Sequence, residues 1–238
     1  MECEAEQKIV ILLWGDTQKL KTSFFLTALV QEGAVRFLWL HSNLPISLPV
    51  EPPYPNTRIS QGSCKENQNE IMRLFELAHS KIKENIKRGD YCIDATLGNG
   101  HDSLFLAQQI SPLGRVFAMD IQESAIHQAR SKLDAAGLGE CVSIIHDCHT
   151  NIMERIPVQY RGGIAIAMYN LGYLPGGDHS IKTSHESTIN SLLKTYELLK
   201  PSGLLSVLCY RGHDGGAKES DEVGKLCSLQ NWSFEKFK

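Results

Sequence analysis

The sequence predicts an α/β domain built on a doubly wound, mostly parallel sheet, and three observations support this fold class. Short apolar runs alternate with amphipathic helical segments from residue 66 onward. The apolar runs are continuous rather than alternating, which is typical of parallel strands that are buried on both faces. Strand–helix alternation of this length is typical of a doubly wound sheet, in which ligands bind beyond the carboxyl ends of the strands.

The first 65 residues are interpreted as an N-terminal extension that ends in a proline-rich linker. An apolar run at residues 8–14 predicts a single strand. Five prolines fall within residues 44–55. Because proline fixes φ and removes a backbone donor, this stretch is expected to be an extended linker. The sequence therefore predicts an extension over residues 1–65 and the main domain over residues 66–238.

The main domain is expected to begin with a helix and then to alternate strands and helices. Ile71, Leu74, Ala78 and Ile82 recur at three- and four-residue steps, which predicts a helix over residues 66–86. Periodicity and turn residues define the later elements in the same way. Strands are predicted at 91–97, 115–121, 142–146, 164–171, 204–210 and 232–237, and helices at 101–109, 123–136, 151–156, 183–199 and 217–229.

Composition limits the partners and the compartment. The chain has 238 residues, of which 42% are hydrophobic and 21% charged, so it can build a full globular core. A net charge of -3 gives no strongly basic field, although a local patch can still bind RNA. No two of the seven cysteines have CxxC spacing, so no metal is expected. No membrane span or targeting peptide is recognisable, and a soluble intracellular protein is expected.

A glycine-rich turn and two acidic residues indicate a cofactor that contains a nucleoside. Gly98 and Gly100 follow the first strand of the domain, where glycine lets the backbone approach a ligand closely. Asp120 ends the next strand, where a carboxylate can accept both ribose hydroxyls. Asp102 lies in the first turn of the following helix, where it repels a pyrophosphate but can pair with an ammonium group. This favours S-adenosylmethionine over NAD.

Three further loops at the same sheet edge complete the predicted site. The sequence HDCH at 146–149 follows the third strand and is interpreted as polar lining of a nucleoside pocket, with a metal as the less favoured alternative. Asn170 follows the fourth strand, and its side-chain oxygen can accept an N–H bond from a nitrogen nucleophile. The ring of Tyr173 can stack on a base. His213, after the fifth strand, is either a proton acceptor or an ordinary loop histidine.

Together these motifs resemble one family. The stretches DATLGNGHDSLFLA (94–107), FAMDIQ (117–122), HDCH (146–149), NLGYLPGGD (170–178) and YRGHDGG (210–216) are similar to the tRNA wobble-uridine aminomethyl methyltransferases, also known as rRNA methylases. The resemblance covers some two-thirds of the chain and implies a Rossmann-like class I methyltransferase fold. It also implies methyl transfer from S-adenosylmethionine to the exocyclic amine of 5-aminomethyl-(2-thio)uridine at the wobble position of tRNA.

The resemblance and the motif positions together imply the residues of the site. The expected catalytic residues are Asn170, Tyr173 and His213. His79, in the first helix, also matches a position of the family pattern. The expected partner is the tRNA anticodon stem-loop, with a second copy of the chain as an open alternative and with no membrane and no metal. The expected cofactor-binding residues are Asp94, Gly98, Asn99, Gly100, Asp102, Asp120, Gln122, Asp147, Cys148 and His149.

Two departures from the family pattern define the alternatives. The first 65 residues have no recognisable counterpart, and family members continue past Phe237 with an antiparallel strand that lies between the fifth and sixth. Without that strand we expect a gap in the sheet and a bare edge at residues 204–210, with residues 8–14 as a less favoured candidate to fill it. The alternatives are a truncated or inactive cofactor-binding form and, less favoured, an NAD-dependent oxidoreductase. The expected compartment is the cytoplasm for a bacterial source and a chloroplast or other organelle for a eukaryotic one.

Overall fold

A computed structural model describes residues 9–15, 27–31, 34–38, 64–172, 174, 182–211, 215–230 and 232–237. Within these residues the chain forms nine strands and six α-helices. The strands are β1 (Ile9–Gly15), β2 (Thr27–Gln31), β3 (Ala34–Leu38), β4 (Tyr91–Asp94), β5 (Arg115–Asp120), β6 (Val142–His146), β7 (Ile164–Leu171), β8 (Leu199–Tyr210) and β9 (Ser233–Phe237). The helices are α1 (Cys64–Asn85), α2 (His101–Ile110), α3 (Glu123–Ala135), α4 (Ile152–Arg155), α5 (His185–Leu198) and α6 (Gly216–Leu229).

Seven of the strands form one parallel sheet, in the order β6-β5-β4-β7-β8-β1-β9. The chain runs outward from β4 to β6 and then returns to β7 on the other side of β4. The carboxyl ends of β4 and β7 therefore lie at the topological switch point, which is where open α/β sheets bind ligands. β2 and β3 pair antiparallel in a separate two-stranded sheet. The predicted doubly wound α/β fold is confirmed.

Both faces of the sheet are covered by buried apolar side chains. Ile93 and Val207 belong to one core cluster, which also contains side chains of α5 and α6. Cys92 and Leu208, their neighbours along the same strands, belong to the opposite cluster with side chains of α1, α2 and α3. Successive residues of a strand point to opposite faces, so a strand with helices on both sides needs apolar residues at every position. This explains the continuous apolar runs.

Local sequence explains where the helices begin. The Ser184 hydroxyl accepts a hydrogen bond from the Ser187 backbone N–H, and the Ser187 hydroxyl accepts one from the Ser184 N–H. This reciprocal cap satisfies donors that the first turn of α5 leaves without intrahelical partners. Gly100 and Gly215 precede α2 and α6 with φ values of 75° and 86°, a left-handed conformation that suits glycine.

The start of β8 corrects one predicted boundary. The sequence predicts a strand from residue 204, but pairing with β7 begins at Leu199 opposite Ile164 and resumes at Leu204 opposite Ile166. The intervening residues form an irregularity in which Ser202 has a φ of 60°. A hydrophobicity pattern cannot show such a bulge, because these residues carry no apolar signal.

The expected gap beside β8 is not present, and the prediction of a bare edge is wrong. β1 pairs in parallel with β8 from Ile9↔Leu204 to Gly15↔Tyr210. On its other side it pairs with β9 from Ile9↔Ser233 to Leu13↔Phe237. A strand from the N-terminal region thus supplies the backbone partners that both neighbours need. The apolar run at 8–14, the less favoured candidate, takes this place. The proline-rich stretch 44–55 lies outside the described residues, and the domain boundary at residue 65 stays a prediction.

Candidate active site

Backbone hydrogen bonds bring the carboxyl ends of four strands together. The Leu97 N–H donates to the Met119 carbonyl oxygen over 2.8 Å, and the Asp147 N–H donates to Asp120 O over 3.1 Å. The Ala95 N–H donates to the carbonyl oxygen of Met168, in β7, over 2.9 Å. The loops after β4, β5, β6 and β7, which carry most of the sequence motifs, therefore meet at one edge of the sheet.

The glycine-rich turn after β4 depends on glycine for space as well as for conformation. Gly98 and Gly100 have φ values of 47° and 75°. A Cβ on Gly100 would lie 2.8 Å from the Cβ of Ala129, in α3, a contact too short for the backbone to tolerate unchanged. A Cβ on Gly98 would lie 3.5 Å from Cδ1 of Leu174, so the segment after β7 packs over this turn. The turn is therefore held between α3 and the loop after β7.

Asp120, at the end of β5, organises the same turn. Its Oδ2 accepts a hydrogen bond from the Gly98 N–H over 2.9 Å, and its Oδ1 accepts one from the Gln122 N–H over 2.8 Å. A carboxylate offers about four acceptor positions, so these two bonds leave capacity for further donors. The geometry suits a residue that fixes the turn and also accepts ligand hydroxyls.

Two buried carboxylates lie at the start of α2. Asp94 is fully buried and Asp102 is 5% exposed. Asp94 Oδ2 accepts a hydrogen bond from the Ser103 hydroxyl over 2.6 Å, and Asp94 Oδ1 accepts one from the Thr96 N–H over 3.2 Å. Burial, and then the charge of Asp102, raise the pKa of Asp94 to about 7, while the bond from Ser103 opposes the rise. The pair makes a negative environment that favours a cationic ligand.

Asp102 also links α1 to the end of β7. His79 Nε2 lies 2.8 Å from Asp102 Oδ1, and the His79 ring stacks on Phe105 with centroids 3.7 Å apart. The Asn170 amide Nδ2–H donates to Asp102 Oδ2 over 3.4 Å, and the Asn170 backbone N–H donates to the Thr96 hydroxyl over 2.7 Å. With its amide nitrogen held in this way, the Oδ1 of Asn170 is buried and has no hydrogen-bond partner among the described residues.

In the loop after β6, the Asp147 side chain is held by several hydrogen bonds, whereas one ring nitrogen of His149 has no partner among the described residues. Asp147 accepts hydrogen bonds from the Cys148 N–H, the Asn151 side chain and Arg155. The bonds from Asn151 and Arg155 lower the pKa of Asp147. Burial lowers the pKa of His149, although a hydrogen bond to the Ala95 backbone opposes this. His149 Nε2 is buried and has no partner within the part of the chain that the structure describes. Asp147 thus holds the loop, and its contact with a cofactor stays a prediction.

The structure brings most of the predicted site residues together. Tyr173 and His213, two of the three predicted catalytic residues, lie outside the described residues. The residues placed at the edge of the sheet are Asp94, Gly98, Asn99, Gly100, Asp102, Asp120, Gln122, Asp147, Cys148, His149 and Asn170.

Two other kinds of feature are absent from the described residues. Between residues 64 and 237, leaving out those not described, no group of three or more side chains is arranged to hold a metal ion. No described helix is long and apolar enough to cross a membrane.

The sequence did not indicate three polar residues that support this site. Thr96 and Ser103 lie inside the motif at 94–107 and bond to Asn170 and Asp94 respectively. A hydroxyl within four residues of a glycine turn at a strand end is the signal that points to such a supporting bond. Glu219 bonds to Thr183 across 36 positions. No local pattern signals that contact.

The fold and this edge of the sheet define the class: a Rossmann-like methyltransferase fold. The structure is similar to a "putative rRNA-methylase" from Clostridium thermocellum, with a TM-score of 0.62 and 41% identity over 65% of this chain and 81% of that one. It is also similar to a "putative methyltransferase" from Streptococcus mutans, solved in complex with SAH, with a TM-score of 0.55 and 31% identity over 65% of this chain and 80% of that one.

The family follows from sequence. The family model "Putative rRNA methylase" matches residues 116–237. The chain is 38% identical over 177 residues to the chloroplastic tRNA (mnm(5)s(2)U34)-methyltransferase of Arabidopsis thaliana. The aligned region covers 69% of this chain and 64% of the relative. The chain thus matches a little under two-thirds of the length of that plant relative. It belongs to the rRNA methylase family, and the resemblance drawn from its motifs is confirmed.

Proposed function

We propose that the protein is an S-adenosylmethionine-dependent N-methyltransferase that acts on the exocyclic amine of 5-aminomethyl-(2-thio)uridine at the wobble position of tRNA, giving 5-methylaminomethyl-(2-thio)uridine. Family membership and the activity named for the plant relative support this function. The structural observation that carries it is the buried Oδ1 of Asn170, which has no partner among the described residues. A buried acceptor in that state is costly unless a ligand donates to it.

The described residues fit S-adenosylmethionine better than NAD. The buried carboxylates Asp94, at the end of β4, and Asp102, in the first turn of α2, lie near the N-terminal end of α2, where a pyrophosphate would need the opposite charge. In this proposal Asp102 pairs with the ammonium group of the methionine moiety, and Asp120 accepts the ribose hydroxyls. Bound S-adenosylmethionine supplies an electrophilic methyl group on a positively charged sulfur. The NAD-dependent alternative is therefore not proposed.

Asn170 is the residue best placed to orient the amine. Thr96 holds its backbone and Asp102 holds its amide nitrogen, so its oxygen is presented to the site in one orientation. By accepting an amine N–H, that oxygen directs the nitrogen lone pair toward the methyl carbon. The carbon–sulfur bond breaks as the carbon–nitrogen bond forms, and the nitrogen then releases a proton. Tyr173 is proposed to stack on the base, and His213 to accept the proton.

The proposed partner is a tRNA anticodon stem-loop. With a net charge of -3, the chain is expected to contact RNA phosphates through a local basic patch rather than through an overall basic field. A homodimer remains a proposal. For a eukaryotic source we infer a chloroplast location, in line with the compartment named for the plant relative.

The decisive experiment is methyl transfer to tRNA that carries the unmethylated aminomethyl base. The purified full chain is incubated with S-adenosylmethionine and this tRNA, and digested nucleosides are identified by mass spectrometry. Wild type should methylate the wobble amine, and Asn170→Ala should lower turnover by roughly 10²–10³-fold, as expected when a bond aimed at the reacting centre is lost. Asn85→Ala, which removes an exposed asparagine of α1, is the matched control. Methylation of ribosomal RNA with none of the wobble amine would refute the proposal.

A further inference from the structure

The loop that follows β7 starts and ends at two residues that bond to each other. The Thr183 backbone N–H donates to the Gly172 carbonyl oxygen over 2.9 Å. In return, the Gly172 N–H donates to the Thr183 hydroxyl oxygen over 3.0 Å. Gly172 is buried and has a φ of 149°, which few other residues adopt. The two ends of the segment that carries Tyr173 are therefore pinned together, and the Thr183 side chain is part of the pin.

A buried glutamate anchors this pair to the next helix. The Thr183 hydroxyl donates to Glu219 Oε2 over 2.9 Å, and Glu219 is only 2% exposed. The Thr188 hydroxyl, in α5, donates to Glu219 Oε1 over 2.6 Å. A single carboxylate thus accepts hydrogen bonds from two hydroxyl groups. One belongs to Thr183, which also bonds to Gly172, and the other belongs to Thr188 of α5.

Glu219 lies in the first turn of α6, where a negative charge interacts favourably with the helix N-terminus. The same part of α6 also bonds to the residue that follows β8. The Arg211 guanidinium donates to the hydroxyl of Ser220 and to the carboxylate of Asp221. The start of α6 is therefore bonded both to Thr183, which is tied to the end of β7, and to Arg211, at the end of β8.

Burying a carboxylate is expensive unless its surroundings compensate for the lost water. In the described part of the chain, Glu219 receives hydroxyl donors and forms no ion pair. A purely structural role could be filled by an apolar side chain of similar size at lower cost. The location of this costly group, bonded through Thr183 to the end of the strand that carries Asn170, points to the placement of that strand end.

We propose that Thr183 and Glu219 form a clasp that positions the end of β7, and with it Asn170, for methyl transfer. The proposal rests on the proposed function, because it assigns these two positioning residues to the same site. The clasp acts through Gly172, which bonds to Thr183 and lies two positions after Asn170. Loss of the Thr183 hydroxyl should therefore lower turnover and leave cofactor affinity nearly unchanged.

The chain offers a matched pair of variants for this test. Thr183→Val removes the hydroxyl that joins Gly172 to Glu219. Thr188→Val removes a hydroxyl of α5 that contacts the same carboxylate at its other oxygen. We expect Thr183→Val to lower kcat by about ten- to a hundredfold, as small displacements of a reacting group do, and Thr188→Val to stay within about twofold of wild type. Thr183→Ser should restore kcat. SAH affinity should stay within about twofold of wild type in all three variants.

A second measurement does not depend on activity. Amide hydrogen exchange on the SAH-bound protein should be faster at Gly172 and at the amide of residue 183 in Thr183→Val, and unchanged at both in Thr188→Val. If the two valine variants have equal kcat values and equal exchange at these two amides, the clasp is refuted. If the wild-type protein does not methylate the aminomethyl tRNA, the proposed function fails, and the exchange comparison still decides whether the clasp exists.

Discussion

A proline in the middle of β1 tests whether this N-terminal strand stabilises the sheet from its place between β8 and β9. Leu12 pairs with Val207 of β8 on one side and with Lys236 of β9 on the other. Leu12→Pro removes one backbone donor from a strand that has neighbours on both edges, a position where proline is hardly ever found. Leu29→Pro is the matched control, because among the described strands β2 pairs with β3 alone, outside the seven-stranded sheet.

The loss of unfolding free energy expected for Leu12→Pro follows from the pairing of β1 with its two neighbours. Loss of one ladder hydrogen bond costs about 0.5–1.5 kcal/mol, and the carbonyl left buried without a donor costs about 1–3 kcal/mol more. The sum, roughly 1.5–4.5 kcal/mol, is a large share of the 5–15 kcal/mol that is typical of a whole domain. For a chain of this size it corresponds to a melting temperature lower by roughly 3–18 °C. The control substitution should change the main transition by less than about 1 kcal/mol.

Urea and thermal unfolding, followed by far-UV circular dichroism, measure both variants against wild type. If Leu12→Pro unfolds at the same urea concentration as wild type, β1 does not contribute to the sheet. Equal losses in the two proline variants would show a general sensitivity of the N-terminal region instead. Removal of residues 1–15 should expose the edge of β8 and promote self-association, which size-exclusion chromatography detects.

Two further predictions concern the cofactor side. Asp120→Asn should weaken SAH binding by about 10- to 150-fold in calorimetry, because one charge-assisted acceptor for the ribose and the turn is lost, and an affinity within about twofold of wild type would contradict the assignment. The pKa of Asp94 is raised to about 7 by burial and by Asp102, so the folded state holds this proton more tightly than the unfolded state. The stabilisation is complete below about pH 4 and is lost as pH rises through about 7. The unfolding free energy of wild type relative to Asp94→Asn should therefore fall between about pH 4 and pH 7 and level off above that, and a difference independent of pH would contradict this reasoning.

The parts of the fold that sequence predicts are those set by short-range patterns. A strand buried on both faces must be apolar at each position, as in the run that ends at Met119, and this pattern is visible without any structure. Parallel strands end at the same sheet edge, so the motifs at their carboxyl ends had to converge there. The positions of Asp120 and Asn170 relative to the glycine turn could therefore be predicted from order along the chain.

The parts that sequence does not predict depend on contacts between distant residues. The apolar run at residues 8–14 predicts a strand, but only tertiary pairing decides that it lies between β8 and β9. Glu219 has the pattern of an ordinary polar residue of an amphipathic segment, and its bond to Thr183 joins positions 36 apart. The bulge before Leu204 arises where the pairing register with β7 shifts, which hydrophobicity does not record.

The distribution of satisfied and unsatisfied polar atoms divides the site into two halves. On the cofactor side, Asp94, Asp120 and Asp147 each accept hydrogen bonds from the chain itself, so their positions are set before a ligand arrives. Each half also contains a buried polar atom that has no partner among the described residues: Nε2 of His149 on the cofactor side and Oδ1 of Asn170 on the other. Since each such atom costs about 1–3 kcal/mol, a ligand that bonds to it gains affinity or transition-state stabilisation without moving the chain. His149 should therefore act in cofactor binding, whereas Asn170 and the clasp behind it should act in turnover, because His149 follows β6 and Asn170 ends β7, and different bonds hold the two.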